Sequence, residues 1–134
     1  MRKNKKIILG VIAAGILIGV FFGGKYVLDL MYYKDEMSTV NIDNIDLKDV
    51  CDGTYIGSYD AKIISATVSV SVKNGRMTDI ELLEHKYERG GLAASIIDEV
   101  LKEQSLEVDA VSGATNSSKT ILKAVENALN SGKK

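Results

Sequence analysis

Two hydroxyl residues, Ser112 and Thr115, lie in one short stretch near the C-terminal end of the chain, Asp109-Ala110-Val111-Ser112-Gly113-Ala114-Thr115, and three more polar residues, Asn116, Ser117 and Ser118, follow it directly. Serine and threonine hydroxyls are weak nucleophiles, and they become covalent attachment points only when a base or a separate enzyme activates them. Nothing adjacent in the sequence is an evident activating base, so chemistry at Thr115 would need a separate enzyme. Gly113 allows the backbone to turn tightly and lets a ligand come close to it.

A helix is predicted directly after this stretch, over residues 116–130. Its apolar residues have the spacing of a single helical face: Ile121, Leu122, Val125, Ala128 and Leu129. Oxygen-bearing side chains favour helix starts, because they accept from amides that have no partner within the helix. Those amides and the positive end of the helix dipole also suit a phosphate. Taken alone, residues 112–115 indicate no more than a capped helix start, because short motifs often match by chance.

Three strands and a second helix are predicted upstream, and they define the fold class. The strands cover residues 54–59, 63–72 and 77–84, and the middle one alternates apolar residues with small hydroxyl residues. Asn74-Gly75 favours a two-residue hairpin, because both central residues need positive φ. Apolar residues with helical spacing predict a second helix over residues 92–102. Residues 104–108 either connect this helix to the stretch at 109–115 or form a short strand. We therefore expect an α+β domain in which a small antiparallel sheet packs against two helices.

The N-terminal residues predict a membrane anchor. Residues 7–24 carry no charge, and these 18 residues would span about 27 Å as a helix, close to the hydrocarbon thickness of a bilayer. Arg2, Lys3, Lys5 and Lys6 precede the run and favour a cytoplasmic N-terminus. The expected organisation is a basic N-terminus (1–6), a transmembrane anchor (7–33), a linker (34–50) and an extracytoplasmic domain (51–134). A cleaved signal peptide is the alternative, but it fits the long apolar run less well.

The composition limits the kinds of ligand and metal site that the chain is expected to have. The chain of 134 residues has a formal net charge of −1, which gives no reason to expect nucleic-acid binding. One cysteine and one histidine do not favour a zinc site or an iron–sulfur cluster. Redox chemistry would therefore need a bound organic cofactor. Cys51 is either a reactive thiol or a cysteine without a functional role, and the second case is the more common one for a lone cysteine beside a turn.

Several motifs together resemble the FMN-binding domain family, which includes the C subunit of the sodium-pumping NADH:quinone oxidoreductase and the G subunit of the Rnf complex. Asp109-x-x-Ser112-Gly113-Ala114-Thr115 is similar to the family's acceptor motif. Asp52-Gly53-Thr54-Tyr55 resembles the opening of its domain, Lys73-Asn74-Gly75-Arg76 its hairpin turn, and Glu84-His85-Lys86 the loop after it. The resemblance extends over residues 47–129.

The resemblance implies a covalent cofactor. FMN would be joined through its phosphate to the hydroxyl of Thr115 by a flavin transferase that uses FAD and a divalent metal. Asp109 would be recognised by the transferase or would fix the turn through backbone amides. Ser117, Ser118 and Thr120 are rival hydroxyls that do not match the acceptor position.

The resemblance also implies which residues surround the cofactor. The expected contacts, besides Thr115, are Ser112, Gly113, Ala114, Ser118, His85, Gly90 and Gly91. His85 is alternatively a surface loop residue without a role in binding. Relatives carry Pro-Gly in the loop where this chain has Glu88-Arg89-Gly90-Gly91, and Arg89 would pair with flavin or remain solvated.

The function implied is that of a membrane-anchored extracytoplasmic flavoprotein that transfers electrons through FMN on Thr115. It would exchange them with redox donor and acceptor proteins or a quinone, as an electron carrier or subunit more than as a complete enzyme. The alternative is a membrane-tethered binding or sensory module with the same fold, which binds flavin reversibly or not at all.

Overall fold

Helices and one small sheet make up the protein. The computed structural model describes residues 2–86 and 91–134. Within them lie the helices α1 (Arg2–Thr39), α2 (Ile96–Glu103) and α3 (Thr115–Ser131), the strands β1 (Gly53–Asp60), β2 (Ser65–Lys73) and β3 (Arg76–Lys86), and short 3-10 helices at Leu47–Asp49 and Gly91–Ser95. This arrangement confirms the predicted α+β class, with a small antiparallel sheet, two helices beside it and a long N-terminal helix.

The sheet has the order β1-β2-β3, and both pairs are antiparallel. The alternation in β2 is confirmed: Ala66, Val68, Val70 and Val72 are buried, while the hydroxyl residues between them are partly exposed. Asn74 and Gly75 have φ values of 53° and 72°, as a two-residue hairpin requires. Local sequence is sufficient for this part because strand alternation and turn chemistry both act over a few residues.

The third strand is longer than its pattern predicts. It was expected to end at residue 84, but the ladder continues through the pairs Ala66↔His85 and Ser65↔Lys86. A register shift between Thr67 and Val68 precedes these pairs, so the strict alternation that marks a strand in sequence is interrupted there. The expectation that residues 84–86 form a loop is therefore wrong, and His85 lies in a strand.

Helix α3 lies across the apolar face of the sheet. Ile121, Val125 and Leu129 are fully buried, as the predicted helical stripe requires. The helix approaches the strand very closely at Gly57 in β1, where an added Cβ would overlap the carbonyl oxygen of Ala124 and the backbone of Ala128. Gly132, just past the end of α3, lies against the ring of Tyr55. Helix α3 therefore runs along β1 with its C-terminal end towards Gly53 and its first turn towards Asp60.

Residues between α2 and α3 form no strand, so the short strand considered for residues 104–108 is wrong. The side chain of Gln104 takes the place of a strand partner instead. Its Oε1 accepts from the Met77 amide at 2.7 Å, and its Nε2 donates to the Met77 carbonyl at 2.9 Å. Gln104 itself has the left-handed conformation that ends α2, with φ of 51°. The predicted helix over 92–102 is a 3-10 helix followed by α2.

The segment before the first strand contributes to the core. Ile45, Leu47 and Val50 are buried in the same cluster as the sheet and α3. The Asn44 side chain accepts from the Leu106 amide at 3.2 Å, and Val50 forms a bridge with Lys133. The polar composition of residues 34–50 predicts a linker. The few apolar residues of this segment nevertheless pack in the core, and the sequence does not indicate the surface that they contact.

Helix α1 is apolar and exposed along most of its length. It contains 38 residues, which corresponds to about 57 Å. Residues 2–35 have a mean hydropathy of 2.5 in their most apolar window, and none of that window is buried against the rest of the protein. In the described part of the chain it is the one helix long and apolar enough to cross a membrane. A continuous exposed apolar surface of this kind marks a membrane or an interaction site.

Candidate functional site

A tight turn sets the start of α3. The Ala114 amide donates to the Val111 carbonyl at 2.9 Å, which closes a turn over residues 111–114. Gly113 has φ of 79°, a conformation that side chains with a Cβ rarely adopt. The helix then begins at Thr115. Gly113 is therefore needed for the backbone conformation that places Thr115 at the first helical position.

Ser118 fastens this turn to the helix. Its hydroxyl accepts from the Val111 amide at 3.0 Å and donates to the Ala114 carbonyl at 2.7 Å. The residue is fully buried. Both ends of the turn are thus held by one side chain from the first turn of α3. The expected contact of Ser118 with a cofactor stays a prediction, and the structure adds a positioning role that the sequence did not indicate.

Exposure distinguishes Thr115 from the rival hydroxyls. Ser117 is 2% exposed, and Ser118 and Thr120 are completely buried. The Thr120 hydroxyl donates to the Asn116 carbonyl at 2.9 Å. Thr115 is exposed. Of the four hydroxyl residues at 115, 117, 118 and 120, Thr115 is therefore the one that an enzyme from solution can reach.

The helix start is open in a way that suits an anion. Its N-cap residue is Ala114, and among the described residues no side chain caps it. The expected capping by a serine, threonine or asparagine is thus wrong, because the turn at Gly113 moves the helix start past Ser112. The Ala114 amide donates within the turn. The amides of the first turn of α3 have no acceptor within the helix, because no helical carbonyl precedes them. Those amides and the helix dipole favour negative charge near Thr115.

Space beside the turn is also open. An added Cβ at Gly113 would meet no heavy atom within 4 Å, and Ser112 and Gly113 are exposed. The space beside Gly113 can therefore accommodate a bound group. The residues present fit a phosphate-bearing group.

Asp109 lies in an acidic groove. The groove has a volume of about 300 Å³ and is lined by Glu99, Glu103, Glu107, Val108 and Asp109. Carboxylates in such a groove repel a phosphate. Asp109 is therefore poorly placed to bind a phosphate itself, and its recognition by a transferase or its fixing of the turn stays a prediction.

His85 is on the same sheet face as the core residues of β2, since it pairs with Ala66. It is half-buried, and this burial lowers the pKa of its imidazole below the ordinary value. The ring is therefore neutral at neutral pH. Gly91 begins the 3-10 helix that packs against α3, whereas Gly90 and Arg89 lie outside the described residues. Contacts of His85, Gly90 and Gly91 with a flavin stay predictions.

The model of the FMN-binding domain family matches residues 62–130, just over half of the chain. The chain belongs to the FMN-binding domain family. The match includes the turn over residues 111–114 and Thr115, together with β2, β3, α2 and nearly all of α3. No similar protein is found among curated protein sequences.

Family membership supports FMN as the ligand of this domain. Helix α1 adds a segment that is long and apolar enough to cross a membrane. The protein therefore fits a membrane-anchored flavin-binding module. The open helix start and the exposed residue Thr115 are features that suit a phosphate.

Replacing Ser118 with alanine should loosen the turn and lower stability. The Val111 amide would lose its acceptor, so we expect the free energy of unfolding to fall by about 1–3 kcal/mol. Chemical denaturation of the full chain in detergent measures this change. Ser131→Ala is the matched control, because its hydroxyl donates to the Ala128 carbonyl at the exposed opposite end of α3. Equal effects of the two substitutions would contradict the positioning role of Ser118.

Some residues that organise the site carry little signal in the sequence. A glycine inside a strand often marks a close backbone approach, and Gly57 could have been found in this way. Nothing in the sequence indicates the hydrogen bond of 2.7 Å from Asn116 Nδ2 to the Tyr33 hydroxyl, which lies 83 positions away.

Proposed function

We propose that the protein is a membrane-anchored electron carrier that holds FMN in phosphoester linkage on Thr115. The observation that carries the proposal is the exposure of Thr115 at an open helix start, while Ser117, Ser118 and Thr120 are buried. Membership of the FMN-binding domain family supports the choice of ligand. The acceptor position of the motif, Asp109-x-x-Ser112-Gly113-Ala114-Thr115, supports the choice of residue.

Attachment would use FAD as donor and a separate flavin transferase with a divalent metal. The Thr115 oxygen forms a bond to the phosphorus of the FMN half, the pyrophosphate bond of FAD breaks, and AMP leaves while the hydroxyl proton is released. No residue directly adjacent to Thr115 in the sequence is a histidine or a carboxylate that would act as the base. A separate enzyme is therefore part of the proposal.

Bound FMN supplies one- and two-electron chemistry, and the protein supplies attachment, orientation and electrostatics. Ser112 and Gly113, with the first amides of α3, would surround the phosphate. His85 and Gly91, together with Gly90, would contact the ring and adjust its potential. The electron partners would be redox proteins or a quinone.

The domain would lie outside the cytoplasm. The basic residues before the apolar run of α1 support a cytoplasmic N-terminus. Covalent attachment suits that location, because a dissociated cofactor could not be recovered there.

The proposal is tested by producing the full chain with and without an active flavin transferase. We expect a band that fluoresces as flavin on a denaturing gel only when the transferase is present. In the native protein, reduction by dithionite should bleach the flavin absorbance, and a soluble quinone should restore it. Flavin that is released on denaturation would contradict the covalent linkage and would show that the protein binds FMN reversibly. A dark protein from cells with a proven transferase would favour a binding module without flavin.

A further inference from the structure

The connection between α1 and the domain is held along one side of α3. Asn116 Nδ2 donates to the Tyr33 hydroxyl at 2.7 Å, and Lys123 Nζ donates to the Asn41 carbonyl at 3.0 Å. The Asp43 amide donates to Glu126 at 3.2 Å. Glu126 is 4% exposed, and Lys123 also pairs with it at 3.0 Å. A buried, paired carboxylate that binds the backbone of the connection makes this contact specific.

The order of these contacts gives the direction of the membrane helix. Positions 33, 41 and 43 meet positions 116, 123 and 126 in the same sequence order. The end of α1 and the segment after it therefore run parallel to α3. The apolar part of α1 precedes Tyr33, so it extends beyond the N-terminal end of α3, where Thr115 lies. The C-terminal end of α3 and the β2–β3 turn are at the far end of the domain.

Helix geometry places Thr115 close to the level of the lipid headgroups. Lys25 follows the uncharged run 7–24, but its long side chain can reach the membrane interface while Tyr26, Val27 and Leu28 extend the apolar run. Tyr33 is five residues past Leu28, which is about 7.5 Å along the helix. The headgroup region adds about 5–7 Å on each side of the hydrocarbon core. Tyrosine is also favoured at this interface. Because Tyr33 contacts Asn116 directly, the neighbouring Thr115 lies within a few ångströms of the same level.

A second contact holds the same end of the domain. Lys62, in the turn between β1 and β2, places its Nζ 5.5 Å from the centre of the Tyr32 ring. Lys86 Nζ donates to the Lys62 carbonyl at 3.1 Å, which brings a second cation to this turn. Two lysines beside an interfacial tyrosine suit the negative surface of a lipid bilayer.

From these contacts we infer that the end of α1 and the segment after it fix the orientation of the domain, with the Thr115 end towards the bilayer. The three contacts, Tyr33 with Asn116, Asn41 with Lys123 and Asp43 with Glu126, are together called the strut. The surface at Lys62 and Thr115 then rests against lipid headgroups. The orientation stands on the contacts alone; its consequence for electron transfer rests on the proposed function. A flavin on Thr115 would meet partners that arrive within the membrane plane.

Depth-dependent quenching tests the orientation without any flavin. The full chain, produced without transferase and carrying Cys51→Ser, is labelled with a fluorophore through Ser112→Cys or through Lys73→Cys. Both positions are exposed, and they lie at opposite ends of β2 and α3, about 30 Å apart by the length of the strand. The protein is placed in phosphatidylcholine vesicles that contain lipids with a nitroxide at the headgroup.

We expect quenching at position 112 to exceed that at position 73 several-fold. Equal quenching, or stronger quenching at 73, would overturn the orientation while leaving flavin attachment at Thr115 intact. In a Tyr33→Phe, Lys123→Gln double variant the difference should shrink, because two of the three contacts are lost. An unchanged difference in a variant whose thermal unfolding matches the parent would overturn the strut. If separate preparations made with transferase show no flavin attachment, the proposed function is wrong, but the orientation measured by quenching is unaffected.

Discussion

Thr115→Ala should abolish the fluorescent flavin band on a denaturing gel while the protein accumulates normally. The substitution removes the hydroxyl oxygen that would form the phosphoester bond, and no other hydroxyl in the first turns of α3 is exposed. Thr115 is a surface residue at the helix start, so we expect the free energy of unfolding to change by no more than about 0.5 kcal/mol. Flavin fluorescence and a protein stain of the same gel measure both effects.

Three further substitutions make this result specific. Thr115→Ser keeps a hydroxyl and should retain flavin, whereas Thr115→Val keeps the side-chain shape and should be dark. Thr120→Val is the control for a rival acceptor, and it should retain flavin because the Thr120 hydroxyl is buried and bonded to Asn116. A fluorescent Thr115→Val protein, or a dark Thr120→Val protein that is still folded, would contradict attachment at Thr115.

Gly57→Ala should have the largest effect on stability. The added methyl group would overlap the backbone of α3 at Ala124 and Ala128, which cannot be relieved by rotating a side chain. We expect a loss of about 3 kcal/mol or more in the free energy of unfolding, at the upper end of the cost of overpacking. For a domain of this size, this loss corresponds to a fall of about 12 °C or more in Tm. Thermal unfolding of the full chain in detergent, followed by circular dichroism, measures it.

The control is Ser58→Ala, in the next position of β1. Ser58 is exposed on the other face of the sheet, and its contact with Asn127 uses the backbone carbonyl. Its Tm should stay within a few degrees of the parent. If Gly57→Ala unfolds at the parental temperature, α3 does not lie against β1 as described. Flavin attachment should fall in parallel with stability, because the same helix carries Thr115.

The residue sequence by itself determined the parts of the protein that depend on short-range patterns. Alternation over residues 66–72 determined which face of β2 is buried, and Asn74-Gly75 determined the hairpin. The stripe at Ile121, Val125 and Leu129 determined the buried side of α3. The uncharged run 7–24 determined that the chain has a segment able to cross a membrane. Each of these features follows from side-chain periodicity or turn chemistry within a few residues.

The motif over residues 109–115 was also recognisable in the sequence, but its geometry was not. Residues 109–115 pointed to Thr115 through their resemblance to a family, and the family match includes them. The tertiary structure decided that Thr115 is exposed while Ser118 is buried and fastens the turn. A motif gives residue types in order, whereas exposure depends on how α3 packs on the sheet.

Only the tertiary structure decided how distant segments meet. It extended β3 to His85, because the partner residue Ala66 continues the ladder past a bulge. It placed Leu47, from an apparently polar linker, in the core. It also joined Tyr33 to Asn116, and so related the long apolar helix α1 to the start of α3. These contacts join residues far apart in the chain, and local propensity carries no information about partners that are selected by packing, burial and hydrogen bonding across the whole fold.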